Sequence, residues 1–209
     1  MTDFNIVGPI IGVLAVADTI LHIRLDIMKA KKSENSYFAE PPTGIPTSVI
    51  ALVAISTLLS FLLVLLIPIA WITGLGPNVF WFTFPLFSPP LMLWILGLAL
   101  LSFGIVLHYW SRNIRQDMAT SWAMSKTHKL VTTGPYACIR HPSYTSYFLC
   151  FVGLFLLLPS VLSSLLFLGF PGYYMVAKLE ESYLLNHFGN EYGQYMKKTG
   201  RFLPLKSHR

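Results

Sequence analysis

Charged residues are scarce in this 209-residue chain, at 11% of the total, and two long stretches lack them altogether. Residues 41–111 contain no Asp, Glu, Lys or Arg over 71 consecutive positions, and residues 141–177 contain none over 37. Together with 54% hydrophobic residues and a mean hydropathy of +0.60, this excludes a water-soluble surface and a disordered chain. The composition predicts an integral membrane protein.

Cysteine is also scarce, which excludes a disulfide scaffold. The two cysteines are Cys138 and Cys150, and no His, Cys, Asp and Glu residues have the spacing of metal ligands, so we expect no metal. The net charge of +6 does not predict a nucleic-acid partner, because all fifteen Lys and Arg residues fall in three polar segments, 24–32, 112–140 and 178–209. The positive-inside rule places these three segments in the cytosol, where cysteines stay reduced.

The apolar stretches predict an all-α, polytopic membrane protein with about five membrane helices. Spans of about 20 residues are expected at 4–23, 48–72 and 91–110. The last apolar stretch, 145–177, would be about 50 Å long as one helix, too long for a single crossing. Because Pro159 lies near its middle, we expect a helical hairpin whose two ends face the cytosol.

A polar helix is expected to follow the hairpin, with Gly189 as its C-terminal cap. This organisation predicts an N-terminal membrane region, residues 1–110, and a second region, residues 111–209, in which the hairpin lies between two polar segments.

Two groups of reactive residues stand out in the second region. The first is the stretch HKLVTTGPYACIRHPSY, residues 128–144, whose two X-Pro steps indicate a looped backbone with free amides and carbonyls. The second is the pair Glu180 and Glu181 at the cytosolic end of the hairpin. Aromatic rings attract a sulfonium or ammonium ion, and carboxylates bind ribose hydroxyls, so these groups favour a cationic ligand that bears hydroxyl groups.

LVTTGPYACIRHPSY followed by EESYLLNHFGNEYGQY resembles the isoprenylcysteine carboxyl methyltransferase family. These integral membrane enzymes methylate the carboxylate of a C-terminal prenylated cysteine with S-adenosylmethionine. The resemblance covers roughly the last 80 residues. The wider superfamily includes phospholipid methyltransferases and shares much of the same pattern.

The resemblance implies that the second region, residues 111–209, is catalytic, with a cytosolic cofactor pocket formed by the loop before the hairpin and by the C-terminal helix. It also assigns residues to this pocket position by position. Glu180 is the carboxylate expected to bind the cofactor, and Glu181 is the second choice for that role. The other cofactor-binding residues implied are His128, Lys129, Leu130, Val131, Tyr136, His141, Pro142, Ser143 and Tyr144.

One position departs from the family pattern. Members often carry an arginine four residues before the cofactor-binding glutamate, close to the substrate carboxylate, and this chain has Val176 there. Arg140 or Lys178 would have to replace it, so the catalytic residues expected are Arg140, Lys178 and Glu181. The expected partners are prenylated proteins that have been processed at a C-terminal CaaX sequence, together with membrane lipids. The family implies the endoplasmic reticulum in a eukaryote and the cytoplasmic membrane in a prokaryote, with the site facing the cytosol.

Other interpretations compete with this one. A phospholipid amine or another lipophilic acceptor would need a general base, for which His141, Glu181 or Asp18 are candidates. A transporter would carry charges at mid-membrane, yet the predicted spans contain only Asp18. A membrane reductase would need a nicotinamide site, and the sequence has no glycine-rich dinucleotide loop.

Residues within or beside the spans also have structural interpretations. Asp18 and His22, at i and i+4, are expected to share a helix face and to make a polar contact between helices. At the end of the third span, His108, Trp110, Arg112 and Arg115 are expected to anchor the helix at the membrane interface.

Overall fold

The structure is a computed structural model that describes residues 4–32, 45–76, 78, 83–115 and 129–205. In these ranges the chain forms α-helices and short 3₁₀ turns, with only two isolated β-bridges. The α-helices are α1 Phe4–Lys32, α2 Thr47–Ile72, α3 Leu91–Arg115, α4 Pro142–Leu157, α5 Val161–Ser164, α6 Gly169–Phe188 and α7 Asn190–Lys198. The predicted all-α fold is confirmed.

Four helical segments are long and apolar enough to cross a membrane. They are Gly8–Leu25, Thr47–Ile72, Leu91–Arg115 and Val161–Phe188. The 16-residue helix α4 is apolar but shorter, at about 24 Å. The chain is an integral membrane protein whose helices α1, α2 and α3 expose many large apolar side chains, among them Val13, Leu58 and Phe103.

The first and third helices run further than the hydrophobic pattern predicts. Helix α1 continues to Lys32, nine residues beyond the predicted end at Ile23, and α3 continues to Arg115. A helix in a membrane satisfies its own backbone hydrogen bonds, so it need not end where its apolar run ends. The extension carries the C-terminal end of α3 up to the polar loop that follows residue 128.

The hairpin predicted for 145–177 is present, and it turns at Pro159 as expected. Helix α4 ends at Leu157, and Ser160 begins the next helix with a capping box, in which its Oγ accepts from the Ser163 backbone N at 3.1 Å. The two arms run antiparallel, because Phe155 packs on Phe167 near the turn and Phe148 packs on Phe170 further along.

The segment before α3 holds this turn in place. The backbone N of Leu86 donates to the Pro159 carbonyl at 2.9 Å, and that of Val161 donates to the Phe84 carbonyl at 3.0 Å.

Helices α3 and α4 pack closely because glycines face each other. A Cβ on Gly97 would lie 2.9 Å from the Gly153 carbonyl oxygen, and one on Gly104 would lie 2.6 Å from Cys150 Sγ. Small residues allow this approach of two backbones in a membrane, where packing drives association. The core formed around this contact includes Leu63, Leu101, Leu154, Leu157 and Leu166.

Candidate functional site

The loop before the hairpin and the C-terminal segment lie side by side at one end of the bundle. The backbone N of Arg140 donates to the Gly200 carbonyl at 2.8 Å, and that of His141 donates to the Arg201 carbonyl at 3.0 Å. Tyr195 Oη, on α7, donates to the Tyr136 carbonyl at 2.6 Å. These contacts bring the two sequence blocks together, with the end of α6 between them.

Glu181 is buried between two arginines. Arg140 Nε donates to its Oε1 at 2.8 Å, and Arg201 donates to its Oε2 from Nη2 at 2.6 Å and from Nε at 3.0 Å. Arg140 is further fixed by the backbone carbonyls of Met196 and Thr199. A buried carboxylate with these partners is satisfied, and the arrangement ties the loop, α6 and the C-terminal segment into one unit.

Glu180 faces a different set of groups, although it is the next residue on the same helix. Tyr144 Oη donates to Glu180 Oε1 at 2.7 Å, and His141 Nδ1 lies 3.4 Å from Oε2. The carboxyl group is buried, and its neighbours include a phenol and an imidazole.

His141 lies between the two carboxylates, with Nε2 3.3 Å from Glu181 Oε1. Burial by itself lowers the pKa of His141, but hydrogen bonds and charge interactions with Glu180 and Glu181 outweigh it and raise the pKa above the usual 6.5. The imidazole is therefore held in its charged form at a higher pH than a free histidine would be.

A series of aromatic rings extends from His141 into the helix bundle. The His141 and Tyr144 rings are 5.4 Å apart and parallel within 2°. The Tyr144 ring lies 4.9 Å from Tyr173, whose hydroxyl is 2.6 Å from Thr57 Oγ1, and 6.4 Å from Tyr147. Such faces suit a cation, because the negative face of an aromatic ring attracts positive charge.

Two buried hydroxyls near the carboxylates, Ser143 Oγ and Tyr192 Oη, have no hydrogen-bond partner in the described ranges. Tyr192 is close enough to Glu181 to interact electrostatically. Since buried polar groups are normally hydrogen-bonded, these atoms fit a ligand with several polar groups. A carboxylate, hydroxyls and aromatic faces together fit a ligand that bears hydroxyl groups and a positive charge.

The structure brings most of the sequence-predicted residues together and separates a few. The loop residues Lys129, Leu130 and Val131 lead into the 3₁₀ turn Gly134–Ala137, and Pro142 is buried at the start of α4. Lys178 is exposed on α6, two positions from Glu180, so a helix directs it away from the cluster. His128 lies outside the described residues.

Sequence reasoning missed three members of the cluster: Arg201, Tyr173 and Tyr147. Arg201 lies in a basic tail that a membrane-surface role explains equally well, and the tyrosines lie in apolar helices. A signal for Tyr147 was available in the sequence. Tyr147 follows Tyr144 by three residues, as Ser146 follows Ser143, and residues three apart share a helix face.

A second polar cluster lies within the membrane bundle. Asp18 Oδ1 is 3.3 Å from His22 Nδ1, so the two residues share a helix face as their spacing predicts. The His22 ring stacks on His108 at 5.0 Å, and His108 Nδ1 lies 3.2 Å from Ser146 Oγ. The expectation that His108 anchors the interface is wrong, because this side chain is buried between helices.

These residues line one end of a cavity of about 70 Å³ between α1, α2, α3 and α4. Its other end is apolar, with Ile11, Val64, Leu101 and Leu154 in the walls. Tyr147 lines the cavity and also packs beside Tyr144, so the cavity is adjacent to the carboxylate cluster.

Part of the site, including His141, Tyr144, Glu180 and Glu181, lies in a segment that matches a known protein family. Residues 92–191 match the family described as phospholipid methyltransferase. A protein-S-isoprenylcysteine O-methyltransferase of Schizosaccharomyces pombe is 41% identical over 83 residues, which are 39% of this chain and 35% of that enzyme. The nickel-cobalt-cadmium resistance protein NccN of Alcaligenes xylosoxydans xylosoxydans is 37% identical over 83 residues, 39% of each chain.

The fold has a solved counterpart. The structure of the eukaryotic intramembrane Ras methyltransferase, an isoprenylcysteine carboxyl methyltransferase, superposes with a TM-score of 0.56 at 21% identity. The match covers 98% of this chain and 69% of that one, whereas the matched segments span little more than a third of the curated relatives named above. Over its C-terminal half, the chain resembles the membrane methyltransferases of the isoprenylcysteine carboxyl methyltransferase family and the wider phospholipid methyltransferase group.

Proposed function

We propose that the chain is an S-adenosylmethionine-dependent methyltransferase of the membrane that esterifies the carboxylate of a prenylated cysteine. The observation that carries this proposal is the arrangement of Glu180, Tyr144 and His141, which combines a carboxylate with stacked rings inside the segment that matches the family. The sequence relatives that carry the prenylcysteine methyltransferase name support the choice of acceptor.

The cofactor-binding residues proposed are those that the loop and α6 bring together. Glu180 would accept hydrogen bonds from ribose hydroxyls, and the Tyr144 and His141 rings would lie against the cationic part of the ligand. The remaining residues proposed for this site are His128, Lys129, Leu130, Val131, Tyr136, Pro142 and Ser143. When bound, S-adenosylmethionine supplies a methyl group on a positively charged sulfur.

The protein's contribution to catalysis follows from the acceptor's chemistry. A carboxylate with a pKa of about 4 is ionised at neutral pH, so the protein need not remove a proton from it. The buried cluster instead orients the two reactants and excludes water, and orientation alone supplies up to about 7–11 kcal/mol in well-aligned reactions. Glu181 and Arg140 contribute by fixing the position of the loop rather than by touching the reacting atoms.

The proposed setting follows from the family and from the distribution of charge. The site would face the cytosol, at the endoplasmic reticulum in a eukaryote or at the cytoplasmic membrane in a prokaryote. Its partners would be prenylated proteins processed at a C-terminal CaaX sequence, and surrounding membrane lipids.

A second candidate function is methylation of a phospholipid amine, which the description of the matching family favours. An amine acceptor would require a base. Of the three sequence candidates, Glu181 is held by two arginines, whereas Asp18 pairs with His22 at the polar end of the cavity.

The experiment that tests these functions is transfer of labelled methyl from S-adenosylmethionine by the purified protein in detergent. Farnesylated cysteine and phosphatidylethanolamine are offered in parallel, with Glu180→Gln as the inactive control. Base-labile label on the farnesylcysteine, lost in the variant, supports the proposal. Label on phosphatidylethanolamine alone would replace the first acceptor with the second, and label on neither would contradict both.

A further inference from the structure

The acceptor carboxylate of the proposed reaction needs a cation, and the residues nominated from the sequence do not supply one. Arg140 is committed to Glu181 and to two backbone carbonyls, and Arg201 shares the same carboxylate. Lys178 is exposed, and Val176, at the position of the family's arginine, is a buried apolar residue. A positive charge from another element is required.

Arg115 is the last residue of α3, and the loop of the proposed cofactor site lies on this end of the helix. A Cβ on Gly134 would lie 3.1 Å from Ile114 Cγ1 and 3.4 Å from Trp110 Nε1, so the loop and the last turn of α3 are in van der Waals contact. Arg115 Nε is buried and has no hydrogen-bond partner in the described ranges. A buried guanidinium N–H normally has an acceptor, and a carboxylate is the acceptor it binds best.

The charge of Arg115 also reaches the aromatic cluster. Its guanidinium interacts electrostatically with the hydroxyls of Tyr144 and Tyr147 and with the His108 ring. Tyr144 is hydrogen-bonded to Glu180 on α6. The Tyr144 hydroxyl therefore feels the charges of both the carboxylate proposed to hold the cofactor and a cation on α3.

We propose that Arg115 binds the carboxylate of the methyl acceptor and so takes the place of the arginine that Val176 replaces. This inference rests on the proposed prenylcysteine methylation and identifies the residue that selects an anionic acceptor. A guanidinium suits the task because it remains charged and presents paired N–H groups to the two oxygens of a carboxylate.

The test compares wild type with Arg115→Gln and Arg115→Lys. The matched control is Arg24→Gln, which removes an exposed arginine from α1. The KM for farnesylcysteine and the Kd for S-adenosylmethionine are measured for each. In Arg115→Gln the KM is expected to rise about tenfold to a hundredfold while the cofactor Kd is unchanged, because a hydrogen bond to a charged group is lost. Arg115→Lys is expected to recover part of the loss, and Arg24→Gln to match wild type.

A second measurement separates recognition of charge from a structural role. Farnesylcysteine and its carboxamide are compared as competing ligands, since the carboxamide has the same lipid but no charge. Arg115→Gln is expected to abolish the preference for the carboxylate. Equal weakening of both ligands, or an unchanged KM, would overturn the role of Arg115 while leaving the methyltransferase intact. Wild-type protein that binds and methylates no farnesylcysteine would overturn the proposed function itself, and the Arg115 inference with it.

Discussion

The surroundings of Glu180 and Glu181 differ sharply, although the two residues are neighbours on α6. Adjacent residues on a helix point about 100° apart, so one carboxyl group meets Arg140 and Arg201 while the other meets Tyr144 and His141. Both side chains are buried. A pair of identical residues can thus have different surroundings, with one carboxylate held by arginines and the other the one we propose for the cofactor.

This difference follows from how each charge is balanced. Glu181 holds two guanidinium groups that belong to the loop and to the C-terminal segment, so it links three parts of the chain. The groups on Glu180 include a phenol and an imidazole, and the imidazole is itself shared with Glu181. We therefore expect changes at the Glu181 side to affect stability first, and changes at the Glu180 side to affect cofactor binding first.

The largest expected effect is that of Glu181→Ala on stability. The substitution leaves Arg140 and Arg201 without their carboxylate, and breaking a buried ion pair by removing one partner costs about 3–5 kcal/mol. Thermal unfolding of the protein in detergent measures the loss, with Glu191→Ala as the control because Glu191 is exposed on α7. An unfolding temperature equal to that of the control would contradict a structural role for Glu181.

A smaller effect is expected for Tyr144→Phe, and on binding rather than on folding. Removing the hydroxyl deletes the 2.7 Å hydrogen bond to Glu180, a kind of bond worth about 1.5–3 kcal/mol. We expect the affinity for S-adenosylmethionine to fall about tenfold or more by titration calorimetry, with a small change in unfolding temperature. Tyr109→Phe, a change of the same kind on α3, serves as the control. A large fall in unfolding temperature with unchanged affinity for S-adenosylmethionine would mean that Tyr144 stabilises the fold and does not serve cofactor binding.

Much of the fold could be predicted from the sequence because the membrane imposes simple rules. Long uncharged runs give helices, and Pro159 in an overlong run gives the hairpin. The ends of α1 and α3 could not be predicted from hydropathy, since those helices continue beyond the apolar runs. That continuation matters, because it places Arg115 beside the loop of the site.

Part of the candidate site could be predicted and part could not. The residue types and order of the two blocks indicated Glu180, Tyr144 and His141, which the structure brings together. The sequence could not tell which glutamate is held by arginines, because Arg201 reaches Glu181 only through the folding of the C-terminal segment onto the loop. His108 was misjudged for a similar reason: its burial depends on α1 and α4 packing against it.

The smallest effect on stability is expected from the charge of His141, which is lost when the imidazole gives up its proton. Its pKa is raised in the folded protein, so the charged imidazole adds stability that is fully present below the unfolded value of about 6.5. That stability is lost as the pH rises from 6.5 through the raised folded pKa. We therefore expect the gap in unfolding temperature between wild type and His141→Asn to be widest below pH 6.5 and to narrow as the pH rises above it.

The sign of this dependence distinguishes two views of His141. If the carboxylates hold the ring charged, the gap narrows with rising pH, whereas a histidine governed by burial alone would show a gap that widens as the pH rises to 6.5. His187→Asn is the control, because it makes the same chemical change at an exposed position on α6. A widening gap for His141→Asn would mean that burial outweighs Glu180 and Glu181, and that the imidazole between them is neutral at physiological pH.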